Sequence, residues 1–168
     1  MSQGLPKAQP YERECPQLTN VHEMYMREAL KEAQQAYDKT EVPVGAVIVY
    51  EGEIIARAHN LREGLQLTKA HAEMLAIEKA NEHIGSWRLD DCSIYITLEP
   101  CPMCAGAIIQ SRIKNLYFGT RDYKNGVLAS GVNLFEGNFS HKVDVTGGVL
   151  EEENSKLIKN FFRALRNQ

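Results

Sequence analysis

Two short segments far apart in the chain have to meet once it folds: His71-Ala72-Glu73 and Pro100-Cys101-Pro102-Met103-Cys104. Each stands where a helix is predicted to begin, and a β-rich run at residues 93–98 lies between them. A fold that uses both must bring two helix starts to the same end of the intervening strand. Cys101 and Cys104, three apart at a helix start, lie on neighbouring turns of one face and can bite a single cation. The partial positive charge of a helix N-terminus stabilises thiolates and lowers their pKa from about 8.5. His71 supplies a third donor from the start of the other helix. Two thiolates and a neutral imidazole balance the charge of Zn²⁺ and leave one coordination position open, the arrangement of a catalytic zinc. Water at that position ionises near neutral pH. Glu73 is best used as a non-ligand that takes the water's proton and delivers it elsewhere.

Other readings of these residues remain open at this level. Cys-x-x-Cys alone also fits a redox pair or half of a structural zinc knot, and a structural site demands a fourth protein ligand. His22, His59, His83 and His141 have no ligand spacing and read as surface or hydrogen-bonded histidines. Cys15 and Cys92 are not expected to be ligands, and Cys92, just before a strand, reads as a small buried hydrophobe. The start of the chain, Met1-Ser-Gln-Gly-Leu-Pro, has no secretory pattern, and no apolar run reaches the roughly 20 residues of a membrane span. With 4 cysteines in 168 residues and no secretory segment, Cys-x-x-Cys reads as metal or redox chemistry before it reads as a disulfide. The expectation is a cytoplasmic globular domain. A formal net charge of −3 argues against a generic polyanion binder, so any nucleic-acid role needs a local basic patch.

Residues 1–18 carry Pro6, Pro10 and Pro16 and no periodicity, and read as an extension to a single domain at 19–168. A helix is predicted from Asn20, with Glu23 as a capping-box partner and Met26, Ala29, Leu30, Ala33 and Tyr37 on its apolar stripe. Residues 44–50 and 53–58 form an antiparallel hairpin about Glu51-Gly52, and the near-continuous apolar run 44–49 predicts a strand covered on both faces. A polar loop (60–68) leads to a second helix (70–82) closed near Gly85. A third strand (93–98) precedes a third helix that Pro102 opens. Ala105-Gly106-Ala107 keeps that helix slim. A fourth strand (114–119), a Gly- and Asn-rich loop (120–131), a fifth strand (141–149) and a last helix bearing Leu157, Ile158, Phe161, Phe162 and Leu165 complete the chain. The fold class is α/β: a three-layer α/β/α sandwich on a five-stranded mixed sheet with an N-terminal β-hairpin.

H-x-E followed by P-C-x-x-C is the known signature of zinc-dependent base deaminases. Around it stand Glu41-Val-Pro-Val-Gly-Ala-Val-Ile-Val, His71-Ala-Glu-Met-Leu-Ala-Ile, Trp87-Arg-Leu, Thr97-Leu-Glu-Pro-Cys-Pro-Met-Cys-Ala-Gly-Ala-Ile, Phe118-Gly-Thr-Arg-Asp and Phe161-Phe-Arg. In these segments, in this order over about residues 20–166, the chain resembles the bacterial tRNA-specific adenosine deaminases. The resemblance implies a cytidine-deaminase-like fold, a homodimer, one zinc per subunit, and conversion of the wobble adenosine of a tRNA anticodon stem-loop to inosine. It assigns zinc to His71, Cys101 and Cys104, and proton transfer to Glu73. Asn60 would hydrogen-bond the flipped base, and Val44 and Ala72 would wall its pocket. Asp122 would touch the sugar of a neighbouring nucleotide, where a 2′-OH is available; its structural alternative is a turn residue before Tyr123-Lys-Asn-Gly. Of Phe161 and Phe162, one is expected in the core and the other at the RNA; Phe162 is the candidate for the RNA side, and the sequence leaves the choice between them open. Arg121, Lys124 and Arg163 are candidate phosphate contacts, within basic groups that also include Arg112, Lys114, Lys156, Lys159 and Arg166. The chain departs from better-known members in its N-terminal extension and in lacking a basic tail beyond Asn167-Gln168, which bears on the strength of tRNA binding. The rival readings are a deaminase of free guanine or cytosine on the same zinc site, and a non-catalytic structural-zinc RNA-binding protein.

Overall fold

A computed structural model of the chain describes residues 20–168. Helix α1 (Asn20–Asp38) is followed by the hairpin of β1 (Gly45–Tyr50) and β2 (Glu53–His59), the short helix α2 (Arg62–Leu65) and helix α3 (Ala72–Ile84). Strand β3 (Ser93–Leu98), helix α4 (Pro102–Gln110), strand β4 (Asn115–Thr120), strand β5 (Asp144–Thr146) and helix α5 (Glu151–Arg166) complete the order. The expected N-terminal extension and Cys15 lie outside the described residues, as does the Asn20 side chain of the predicted capping box.

The sheet has five strands in the order β2-β1-β3-β4-β5. β1 is antiparallel to both β2 and β3, whereas β3–β4 and β4–β5 are parallel, so the sheet is mixed as predicted. Glu51 and Gly52 both take positive φ (49° and 80°), as the tight primed turns of right-twisted hairpins require. A register shift between Ile48 and Val49 leaves one extra residue on β2.

β1 is covered on both faces. Ala46 and Ile48 join Ile94, Ile96, Leu116 and Phe118 in the core beneath α3 and α4. Val47 and Val49 join Tyr95, Tyr25, Met26 and Ala29 in a second core beneath α1. α5 packs beside α1 on that same face, over β4, giving three layers. Gly45 lets α1 come down onto β1: a Cβ there would lie 2.0 Å from Ala29 O and 2.5 Å from Ala33 N.

Several boundaries differ from expectation, each for a local reason. The helix predicted from residue 70 starts at Ala72, because His71 stays extended (φ −81°, ψ 152°) as its cap. The polar loop at 60–68 contains α2, whose first turn has no side-chain cap of its own. The fifth strand keeps only three residues of the nine predicted. Gly147 packs against the Phe118 ring and Gly148 takes φ +86°, which turns the chain off the sheet edge.

Candidate active site

The sheet order puts every end that matters at one edge. Glu99 to Cys101 leave the C-terminal end of β3, and Thr120 to Asp122 leave the same end of parallel β4. Because β1 runs antiparallel to β3 and β2, its start and the end of β2 come to that edge as well. Asn60 N donates to Val44 O at 3.0 Å, and Leu61 N to Ala70 O at 3.0 Å, which ties this corner to the start of α3. Thr97 Oγ1 accepts from Gly45 N at 3.0 Å across the sheet. The crevice outside the carboxyl ends of strands, where helix N-termini also point, is the standard place for a ligand in an α/β sheet.

His71 and Cys101 occupy equivalent positions, as the extended cap residues of α3 and α4, and neither side chain is spent on capping. His71 Nδ1 lies 3.7 Å from Cys101 Sγ and 3.5 Å from Cys104 Sγ. The three ligand atoms all lie within 4.8 Å of one another, and among the described residues no fourth His, Cys, Asp or Glu joins the group. Zinc bonds of about 2.3 Å to sulfur and about 2.0 Å to nitrogen give tetrahedral N···S edges of roughly 3.5 Å, so the donor set fits such an ion with one position left over. As protein groups alone, the two thiols are shifted in opposite directions. The Cys104 thiol, and then His71, hold Cys101 down at about 4 against the opposing effect of burial. Cys104 is pushed up, first by its hydrogen bond to Cys101 and then by burial. His71 is raised, chiefly by its hydrogen bond to Cys101, with burial opposing.

Glu73, in the first turn of α3, is 4% exposed. Burial pushes its carboxyl above the ordinary range, opposed by hydrogen bonds to its own backbone and to the Cys104 thiol. The carboxyl therefore lies beside the donor set without belonging to it. Asn60 is buried and held at both ends of its amide: Nδ2 donates to Val42 O at 3.3 Å and Oδ1 accepts from Arg62 N at 3.2 Å. Val44 and Ala72 are buried at the same corner.

Asp122 sits on the loop after β4, where its Oδ1 accepts from Lys124 N at 3.1 Å and Asn125 N at 3.0 Å. That is the turn-forming role that the sequence left as an alternative. Lys124 is exposed and Arg121 is half-buried. Phe161 is buried, edge-on to Tyr37 at 5.6 Å, and Phe162 is 40% exposed. The core half of the expectation for this pair is met. Phe162 and exposed Arg163 stand on α5, across the sheet from α3 and α4.

The remaining histidines among the described residues are as expected. His22 Nδ1 lies 2.7 Å from Tyr95 Oη, His59 Nδ1 2.8 Å from Glu32, and His141 Nε2 2.7 Å from Ile113 O, while His83 is exposed. Cys92 is a buried free thiol pushed up to about 11 by burial. Trp87 is exposed, with the guanidinium carbons of Arg88 and Arg112 at 5.4 Å and 5.7 Å from its ring centre.

Two buried acids that order the loops around the site are absent from the expected site residues. Glu41, 2% exposed, accepts from Glu63 N at 3.1 Å and Gly64 N at 2.5 Å, and so caps α2 from a distance. Glu99, equally buried, accepts backbone N–H groups from the loop after β4. The only signal for either was an acid set among apolar residues, in Glu41-Val-Pro-Val and Leu98-Glu-Pro.

The chain matches the MafB19-like deaminase family over residues 20–166. It is 53% identical over 147 residues to the tRNA-specific adenosine deaminase of Bacillus subtilis, covering 87% of this chain and 91% of the relative. The chain belongs to the tRNA-specific adenosine deaminase family. A solved structure from work on A-to-I editing by tRNA:A34 deaminases superposes with a TM-score of 0.77 at 43% identity, over 80% of this chain and 98% of that one. A guanine deaminase from Nitrosomonas europaea, 22% identical, shares the fold at a TM-score of 0.70 over 96% of this chain and 97% of its own. Membership also fits the place of this deaminase's donors at two helix starts beside a buried acid.

Proposed function

We propose that this enzyme hydrolyses the exocyclic amine of the wobble adenosine in a tRNA anticodon, giving inosine and ammonia. The observation that carries the reading is Glu73, a buried carboxyl beside a three-donor set that has no fourth protein ligand among the described residues. His71, Cys101 and Cys104 would hold one zinc per subunit. Bound there, zinc would make water a competent nucleophile at neutral pH. Glu73 takes a proton from the attacking water and passes it to the adenine N1 as the C6–O bond forms. It then moves the second proton to the amine as the C6–N6 bond breaks. Its burial favours the protonated form, which suits a group that must hold a proton between these two transfers. Asn60 orients the flipped base, with Val44 and Ala72 as walls. Asp122 reads a neighbouring sugar, and Arg121, Lys124, Arg163 and Phe162 meet the RNA.

The domain reading of 19–168 and the homodimer belong to the same proposal. The slim helix α4 supports the dimer, because a Cβ added at Gly106 would meet nothing within 4 Å. The test is inosine formation on an anticodon stem-loop with adenosine at the wobble position, beside free guanine and cytosine. Inosine on the stem-loop is expected. Turnover of a free base with none on the stem-loop overturns the reading.

A further inference from the structure

The chemistry of the cleft uses His71, Glu73, Cys101 and Cys104 and leaves a buried acid two residues before Cys101 without a task. Glu99 is 2% exposed. Its Oε2 accepts from Leu128 N at 2.9 Å and Ala129 N at 3.0 Å, and its Oε1 from Asp122 N at 3.4 Å. All three donors belong to the stretch 121–130, which has turns but no strand or helix. The main chain closes the same seam, with Glu99 N donating to Thr120 O at 2.9 Å and Val127 N to Pro100 O at 3.0 Å. Gly126 makes the fit possible, since a Cβ there would lie 1.9 Å from Glu99 Oε2 and 2.5 Å from Asp122 O.

A carboxyl this deep costs free energy unless its acceptors are filled, and here backbone amides of one loop fill them. An apolar side chain would fill the same space without that cost. The acid is explained by what it fastens.

We propose that Glu99 is a positioning residue for the substrate. It locks the loop carrying Asp122 and Lys124 to the end of β3 that carries Cys101, so groups reading the RNA keep a fixed distance from the reacting base. This rests on the tRNA reading above. A loop without secondary structure would otherwise pay its ordering entropy on each binding event. The lock also explains how Asp122 serves as both turn residue and recognition group, since the turn it closes is part of the fastened loop.

Two variants test the lock. In Glu99→Gln an amide NH₂ replaces one acceptor oxygen and faces backbone donors. In Gly126→Ala the acid is intact but displaced. For both, KM on the anticodon stem-loop should rise about tenfold, with kcat within about twofold and metal content unchanged. Wild type should discriminate against stem-loops with 2′-deoxy sugars flanking the target, and both variants should lose most of that discrimination. A merely structural defect lowers the active fraction and leaves this ratio alone. Amide hydrogen exchange needs no RNA and should speed up at Leu128 and Ala129 while β3 stays protected. A wild type that makes no inosine defeats the tRNA reading, and exchange still judges the lock. Unchanged exchange at Leu128 and Ala129, a fall in kcat alone, or loss of metal or of fold in both variants overturns the proposal.

Discussion

Burial leaves Glu73 holding its proton more tightly than an ordinary carboxyl, in the first turn of the helix that His71 caps. Glu73→Gln keeps the shape and removes the proton transfer. Its kcat should fall roughly 10²- to 10⁴-fold, with metal content unchanged by elemental analysis. Equal loss of metal and activity would instead make Glu73 a structural residue. The four groups at this centre were legible in the sequence because the chemistry restricts both residue type and spacing. Glu41 and Glu99 were not legible, for a physical reason: their partners are backbone N–H groups, which every residue but proline offers. Nothing in a sequence marks which amide a buried acid will find. Asp122 lies between these cases, since turn and recognition use the same side-chain type at the same place.

At the scale of elements, apolar periodicity placed all five strands and the principal helices, several with their ends, and it missed the shortness of β5 and the presence of α2. β5 is short because of two glycines and an aromatic ring on the neighbouring strand, and α2 exists because a distant carboxylate caps it. Both are tertiary effects. The docking of α1 on β1 depends on one missing side chain. Gly45→Ala would drive a methyl into the α1 backbone, and overpacking of this kind costs about 1–3 kcal/mol. Thermal or urea unfolding should show that loss, with α1 released from Val47 and Val49. A stability within about 0.5 kcal/mol of wild type would mean that α1 adjusts without cost.

For the whole molecule, the sheet order gathers residues from five segments onto one edge, and no single window of sequence contains that fact. It follows from β1 running against β3 while β4 runs with it. The dimer proposal lives at this scale too. Gly106→Arg adds bulk and charge where the chain itself has nothing to clash with. The expected outcome is a fully folded monomer in sedimentation, against a wild-type dimer at micromolar concentration. A wild-type monomer, or a variant that still pairs, places the interface elsewhere or removes it. At the pole away from the cleft stands Trp87, beyond the end of α3 and ahead of β3, flanked by Arg88 and Arg112. It is the sole tryptophan of the chain. Its emission therefore reports on one pole only, and the molecule carries its own optical reference: RNA confined to the cleft leaves that signal still, and RNA that wraps the whole body dims it.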